Sequence, residues 1–141
     1  MRSNSKTIGD IAELKAAAYY TENGYYVSKP LGENTPYDLI IDDGQTLSKV
    51  QVKSRKLKPH GVISINGYYK TSGGNITPFN KTHFDELFIY NPDMKRACIL
   101  NWEDLTKLQS TCKNTIILRL LPTKNNQIKD VNFFKDYEIE L

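Results

Sequence analysis

Two short segments with alternating apolar residues constrain this chain more than any other feature. They are YDLIID at 37–42 and LSKVQVKSR at 47–55, and the turn DGQT lies between them at 43–46. Alternation with a period of two is typical of strands with one buried face, and an Asp-Gly turn joins two such strands into a hairpin. The sequence therefore predicts a β-hairpin with one face against a core.

The register of this hairpin decides which side chains meet. If residue 42 pairs with residue 47, Asp38 lies opposite Gln51, and Lys53 is the diagonal neighbour on the same face. A carboxylate, an amide and an ammonium group then form one small patch, and a slip by one residue would reverse the two faces. The other face collects the apolar residues Leu39, Ile41, Val50 and Val52.

This patch has the chemistry that phosphodiester hydrolysis needs. Carboxylate and neutral oxygen ligands suit a hard divalent ion such as Mg²⁺, which polarises a phosphate oxygen and acidifies a bound water. A lysine beside the ion stabilises charge on the phosphate. Glu13 is a candidate for a further acid, because its helical neighbours Ala16 and Ala17 allow close packing on the sheet. Two alternatives remain. Gln51 and Lys53 could line a solvated edge strand, and Glu13 near the helix start could only satisfy the helix dipole.

The other patterns predict one α/β domain with a mixed central β-sheet flanked by helices. A helix is expected from about Ile8 to Asn23, with Gly24 past its end, and a short one at 102–108. Further strands are expected at 25–30, 62–65, 86–91, 97–101 and 115–121, and 67–83 is interpreted as a loop. The domain should span 1–141, with a core over about 8–121 and a tail over 122–141.

Composition limits the compartment and the partners. A net charge of +3 permits a polyanionic partner without requiring one. Cys98 and Cys112 form neither a metal-type pair nor a disulfide framework, which favours a reducing cytoplasm. The N-terminus lacks the apolar core of a signal peptide, and no apolar run approaches the roughly 20 residues that span a membrane. We therefore expect a cytoplasmic protein with no membrane partner.

Taken together, these residues resemble the PD-(D/E)XK nuclease superfamily. A first-helix glutamate, the run Pro36-Tyr37-Asp38 and the run Gln51-Val52-Lys53 follow the order of its signature. Over residues 8–60 the chain is most similar to homing endonucleases encoded in bacterial group I introns, and 83–90 resembles a later helix-to-strand segment of these enzymes. The resemblance implies a restriction-endonuclease-like core and a metal-dependent, site-specific endonuclease of double-stranded DNA, acting in intron homing.

The resemblance also implies roles for single residues. Asp38 matches the metal-binding aspartate, Lys53 the catalytic lysine, and Glu13 the first-helix acid that assists the metal site. The backbone carbonyl of Val52 matches a further ligand. Gln51 departs from the pattern, since most members have Glu or Asp there, and the lost charge should weaken metal affinity. The expected catalytic set is thus Glu13, Asp38, Gln51 and Lys53, with Asp38, Gln51 and Val52 holding Mg²⁺, or Mn²⁺ as a substitute.

DNA contacts are expected from cationic and aromatic residues that follow the site, with a solvated basic surface as the alternative. The candidates are Lys49, Arg55, Lys56, Lys58, Tyr68, Tyr69 and Lys70. One chain of this size has limited reach along DNA, so a long target implies a homodimer or homotetramer. Two other functions remain open: a Holliday-junction resolvase with the same core, and a non-catalytic DNA-binding module.

Overall fold

The computed structural model describes residues 4–70, 73–109 and 115–141. Within these ranges the chain forms the helices α1 (Ser5–Glu22) and α2 (Trp102–Gln109) and a short 3-10 turn at Phe134–Asp136. The strands are β1 (Tyr26–Ser28), β2 (Leu39–Asp42), β3 (Leu47–Ser54), β4 (Val62–Asn66), β5 (Tyr68–Lys70), β6 (Ile76–Pro78), β7 (Glu86–Asn91), β8 (Arg96–Asn101), β9 (Thr115–Arg119) and β10 (Glu138–Ile139).

The centre of the fold is a six-stranded mixed sheet in the order β1-β2-β3-β7-β8-β10. Strands β3 and β7 run parallel, whereas the other neighbouring pairs are antiparallel. Two smaller antiparallel pairs, β4 with β9 and β5 with β6, stand apart from it. The α/β class with a mixed central sheet is therefore confirmed.

Helix α1 covers one face of the central sheet. Its buried residues Ala12, Ala16 and Tyr20 share a core with the apolar face of the β2–β3 hairpin. The helix begins earlier than the sequence pattern indicated, because the Asn4 side chain accepts a hydrogen bond from the Thr7 backbone N–H at 2.9 Å and caps it. At the other end Gly24 has a φ of 90°, the left-handed conformation expected beyond a helix C-terminus.

The opposite face of the sheet carries a second core. Strands β4 and β9 bury one side on it, α2 adds Leu105 and Leu108, and the C-terminal segment adds the fully buried Phe134. The segment 122–141 thus supplies a core residue, and its strand β10 completes the sheet by pairing Glu138 with Cys98 of β8. Cys112 lies outside the described residues.

The expectation of a loop over 67–83 is wrong for part of that stretch. Strands β5 and β6 form a two-stranded ribbon, with Tyr68 paired to Pro78 and Lys70 to Ile76. The ribbon leaves the core where Phe79 N–H donates to the Gly67 carbonyl at 2.9 Å. Its strands are three residues each, too short for apolar alternation to distinguish them from a polar loop.

Candidate active site

The β2–β3 hairpin has the register that the sequence predicts. Leu39 pairs with Val50 and Asp42 with Leu47, so the apolar side chains point to α1. Asp38 lies immediately before β2, and its backbone N–H donates to the Val50 carbonyl at 2.8 Å. Asp38 therefore lies opposite Gln51 across the hairpin.

Three polar groups converge at this position. The Asp38 Oδ2 atom accepts hydrogen bonds from Gln51 Nε2 at 2.8 Å and from the Val52 backbone N–H at 2.8 Å. Gln51 Nε2 also lies 3.4 Å from the Val52 carbonyl oxygen. Because the Gln51 side chain is only 8% exposed, these bonds are largely shielded from water. The carboxylate, the amide and the peptide carbonyl thus form a single cluster.

The donor set fits a hard divalent ion. Carboxylate, peptide carbonyl and amide oxygens are the ligands that Mg²⁺ and Ca²⁺ prefer. No group of three or more His, Cys, Asp or Glu side chains suited to a metal occurs in the part of the chain that the structure describes. A site built here therefore depends on the neutral oxygens of Gln51 and Val52 as well as on Asp38.

Glu13 approaches the cluster from α1, at a polar cavity of about 430 Å³. The cavity reaches Asp38 and is bordered on another side by Lys29, whose Nζ lies 3.6 Å from Glu13 Oε2. Burial raises the pKa of the Glu13 carboxyl, and the charge of Asp38 raises it further. The two carboxylates therefore interact electrostatically across the cavity.

Lys53 is half-buried on the same face as Gln51. Its Nζ lies over the Phe79 ring at 5.6 Å from the centroid, in a cation–π contact. Burial lowers the pKa of the Lys53 ammonium and Arg55 lowers it further, whereas Asp38 raises it. Burial also raises the pKa of the Asp38 carboxyl, which the Val52 N–H and then Lys53 lower. Asp38 and Lys53 thus stabilise each other's charged forms.

The residues expected to contact DNA have unequal surroundings. Lys49 Nζ donates to the Thr82 carbonyl at 2.6 Å and lies 5.7 Å from the Tyr37 ring centroid. Contacts within the protein therefore already hold its ammonium group. Arg55 is half-buried and donates to the Ser54 carbonyl at 2.8 Å. The remaining candidates are Lys56 and Lys58, both exposed, and Tyr68, which is half-buried. The side chains of Tyr69 and Lys70 lie outside the described part of the structure.

Lys29 is a member of the site that the sequence pattern missed. It follows β1, the edge strand that pairs with β2. The stretch YYVSKP indicates a strand that ends at Pro30, but nothing in it shows which strand will be its neighbour. The β1–β2 pairing, together with the packing of α1 against β1, brings Lys29 to Glu13.

Comparison with known proteins places this chain in a family. The family model of the PD-(D/E)XK endonucleases matches residues 3–140, so the chain belongs to that family. Among solved structures, a bacterial homing endonuclease, I-Ssp6803I, has a TM-score of 0.75 and 25% sequence identity, covering 96% of this chain and 89% of that one. MepB has a TM-score of 0.43 and 17% identity, covering 84% and 85%. No curated protein sequence matches the chain.

Membership of this family confirms the resemblance and the restriction-endonuclease-like fold. The protein is therefore a nuclease, of a family that generally uses divalent metal ions. None of the helices in the described ranges has the length and apolar character needed to cross a membrane.

Proposed function

We propose that this nuclease is a metal-dependent endonuclease of double-stranded DNA that cuts at specific sites, as a homing endonuclease does. The observation that carries the proposal is the cluster of the Asp38 carboxylate, the Gln51 amide and the Val52 carbonyl. A catalytic lysine stands beside it, as the family signature requires. The likeness to a bacterial homing endonuclease over 96% of the chain supports site-specific cutting.

Asp38, Gln51 and the Val52 carbonyl are the groups that would hold Mg²⁺, or Mn²⁺ in its place, with Glu13 as an assisting acid. The bound ion supplies positive charge at the scissile phosphate and acidifies a water molecule. Gln51 suits both the metal-free and the metal-bound state of the site, because its amide group carries a donor and an acceptor. Its Nε2 donates to Asp38 as described above, and a half-turn of the terminal amide presents Oε1 in the same direction.

Lys53 has two tasks in this proposal. Its ammonium stabilises the charge that develops on the phosphate, and it orients the attacking water. The Phe79 ring beneath Nζ limits the conformations of the side chain, so less entropy is lost when the charge is aligned. Burial and then Arg55 lower the pKa of the Lys53 ammonium, and the charge of Asp38 opposes this by favouring the protonated form that the first task needs.

DNA would lie along the surface that continues from Lys53. Arg55, Lys56 and Lys58 extend from the end of β3, where their charges can bind phosphates on either side of the cut. The ribbon of β5 and β6, which carries Tyr68, Tyr69 and Lys70, has the two-stranded form that fits the major groove. A homodimer or homotetramer would place two such sites on one duplex.

The decisive experiment is cleavage of DNA that the protein has itself selected. A randomised duplex pool is enriched for binding to Asp38→Asn in Ca²⁺, and the enriched duplexes are incubated with each variant in Mg²⁺. Wild type should cut at discrete positions, Asp38→Asn should not, and Asp42→Asn, at the far end of β2, should cut normally. Normal cleavage by Asp38→Asn would contradict the metal assignment.

The same preparations separate the remaining functions. Preferential cutting of a four-way junction over every enriched duplex would indicate a resolvase. Binding of enriched DNA without cleavage by wild type would indicate a DNA-binding module. For the proposed enzyme, Lys53→Ala should abolish cleavage and leave DNA affinity nearly unchanged, because the phosphate contacts of its neighbours remain.

A further inference from the structure

We propose that Lys29 is a built-in counter-ion of the active site. It neutralises the carboxylates of Glu13 and Asp38 while no metal is bound, and it turns to a DNA phosphate once a divalent ion takes over that task. The inference rests on the proposed function, because it assumes that these carboxylates belong to a metal site.

The topology of the sheet puts Lys29 in this position. Ser28 at the end of β1 pairs with Ile40 near the start of β2, and the two strands are antiparallel. The residue after Ser28 therefore lies beside the residues that precede Ile40, which include Asp38. The antiparallel pairing of this edge strand thus aims one ammonium group at the carboxylate end of the hairpin.

The ion pair itself has the properties of an exchangeable contact. Lys29 Nζ lies 3.6 Å from Glu13 Oε2, and the side chains are 62% and 23% exposed respectively. Exposed pairs of this length contribute little to stability, and the four-carbon stem lets the ammonium leave at small cost. Glu13 is mostly covered and its charge must be balanced, whereas Lys29 reaches water and is free to change partner.

The charges around the cavity show what Lys29 balances. Four carboxylates and two ammonium groups line it, so acidic groups outnumber basic ones. The charged lining residues are Asp10, Glu13, Glu33, Asp38, Lys6 and Lys29. Burial raises the pKa of both the Glu13 and the Asp38 carboxyl, and Lys29 is among the groups that lower both. The positive charge of Lys29 therefore acts on both carboxylates.

Lys53 cannot serve this purpose. Its side chain is half-buried and its ammonium lies 5.6 Å from the Phe79 ring centroid, so it is less able than Lys29 to change partner. Lys29 lines the cavity beside Glu13 and is 62% exposed. An ammonium that remained near a divalent ion would repel it, so displacement of Lys29 links metal binding to the capture of a phosphate.

The test measures metal binding without DNA and without catalysis. Mn²⁺ is titrated calorimetrically into the metal-free wild type, Lys29→Met and Lys6→Met, whose native lysine lines the same cavity. Lys29→Met should bind Mn²⁺ roughly three- to tenfold more tightly than wild type, because the repulsion of a nearby charge is gone. Lys6→Met should change the affinity less. Equal Mn²⁺ affinity in wild type and Lys29→Met would overturn the proposal.

DNA binding in Ca²⁺ supplies the second half of the test. If Lys29 contacts a phosphate, the slope of log affinity against log salt should fall by about 1 in Lys29→Met and return in Lys29→Arg. An unchanged slope would overturn this half of the proposal. Asp38→Asn separates the two proposals: if it leaves Mn²⁺ affinity unchanged, the metal site itself is wrong. If it abolishes binding while Lys29→Met has no effect, only the role of Lys29 is wrong.

Discussion

Asp38 and Gln51 face each other across the β2–β3 hairpin, with Oδ2 and Nε2 2.8 Å apart. A neutral donor thus stands where the PD-(D/E)XK pattern of the family has Asp or Glu. Without a metal the amide satisfies Asp38, whereas two carboxylates at this distance would repel each other. In the proposed metal site, the glutamine would therefore lower the electrostatic cost of the metal-free state and give up part of the affinity for the ion.

Gln51→Glu should reverse this compromise. The substitution replaces the donor to Asp38 by an acceptor at a buried position. We expect the metal-free variant to lose about 1–3 kcal/mol of unfolding free energy, which is the cost of an unsatisfied buried polar group. Mn²⁺ should bind more tightly, by roughly tenfold, because another negative charge faces it.

Thermal unfolding in EDTA and in Mn²⁺ measures both effects of this substitution. The melting temperature should fall in EDTA and recover in Mn²⁺, since the ion stabilises the folded state that binds it. Gln45→Glu in the exposed turn is the control and should alter neither value. An unchanged melting temperature of Gln51→Glu in EDTA would show that the amide bond to Asp38 contributes nothing.

Asp38→Asn should make the metal-free protein more stable at neutral pH. Burial raises the pKa of the Asp38 carboxyl, so the folded state holds its proton more tightly than the unfolded state. The stability that this proton provides is complete below the unfolded pKa, near 3.8, and is lost as pH rises through the folded pKa. Asparagine keeps an acceptor for Val52 and has no proton to lose.

Denaturant unfolding in EDTA at several pH values checks this prediction. Asp43→Asn is the comparison variant, because the pKa of Asp43 is shifted in the opposite direction from that of Asp38. The Thr46 and then the Gln45 backbone N–H lower the pKa of Asp43, so its contribution is present at neutral pH and lost as pH falls. Asp38→Asn should therefore gain stability over wild type as pH rises from 4 to 8. Asp43→Asn should be less stable than wild type over this whole range, and the difference should shrink only as pH falls below 3.8. Parallel curves for wild type and Asp38→Asn would contradict the burial of this charge.

Tyr20→Phe should weaken the contact between α1 and the sheet. The buried Tyr20 hydroxyl donates to Glu86 Oε1 at 2.5 Å, and hydrogen bonds to charged groups contribute about 1.5–3 kcal/mol. Burial, and after it Glu86, raises the pKa of the Tyr20 hydroxyl. The folded state therefore keeps this proton, and stability declines as pH rises above the unfolded pKa near 10.

Alkaline unfolding distinguishes this hydroxyl from the other tyrosines. Tyr20→Phe should be less stable at pH 7 and should lose less stability than wild type between pH 9 and 11. Tyr26→Phe, at an exposed position on the edge strand, should follow wild type at both. If Tyr20→Phe retains the full alkaline loss, another group is responsible for it.

Substitution of Lys49 and of Lys56 by alanine should distinguish a lysine with a structural role from one that binds DNA. Lys49 Nζ is held by the Thr82 carbonyl, so Lys49→Ala should cost about 1–2 kcal/mol of stability and little DNA affinity. The exposed Lys56 should behave in the opposite way, with the salt slope of DNA binding reduced by about 1 in Lys56→Ala. An equal fall of the salt slope in both variants would assign Lys49 to a phosphate after all.

The sequence predicts those parts of the fold that depend on local patterns. Alternating apolar residues specify the β2–β3 hairpin and its register, and therefore the meeting of Asp38 with Gln51. The place of Lys29 depends on which strand lies beside β1, and β10 joins the sheet next to a strand some 40 residues earlier. Such pairings follow from packing of the whole chain, and no local pattern in one sequence records them.

The C-terminal segment contains a buried aromatic residue, although the sequence pattern predicted a tail outside the core there. Phe134 is fully buried there, with the Arg96 guanidinium 5.2 Å from its ring centroid, and Arg96 forms an ion pair with Glu138 of β10. Phe134→Ala should therefore cost about 3–5 kcal/mol, the value for loss of a buried aromatic ring. Much of the stability of a typical domain would be lost with it.

Phe133→Ala is the matched control, since its ring is adjacent in sequence but only half-buried. Denaturant unfolding of both variants should show a large loss for Phe134→Ala and a clearly smaller one for Phe133→Ala. Because Phe134 packs on the sheet face that carries Lys53, Phe134→Ala should also reduce cleavage at temperatures where it is still folded. Similar losses for the two phenylalanines would mean that the C-terminal segment only covers the sheet edge and is not part of its core.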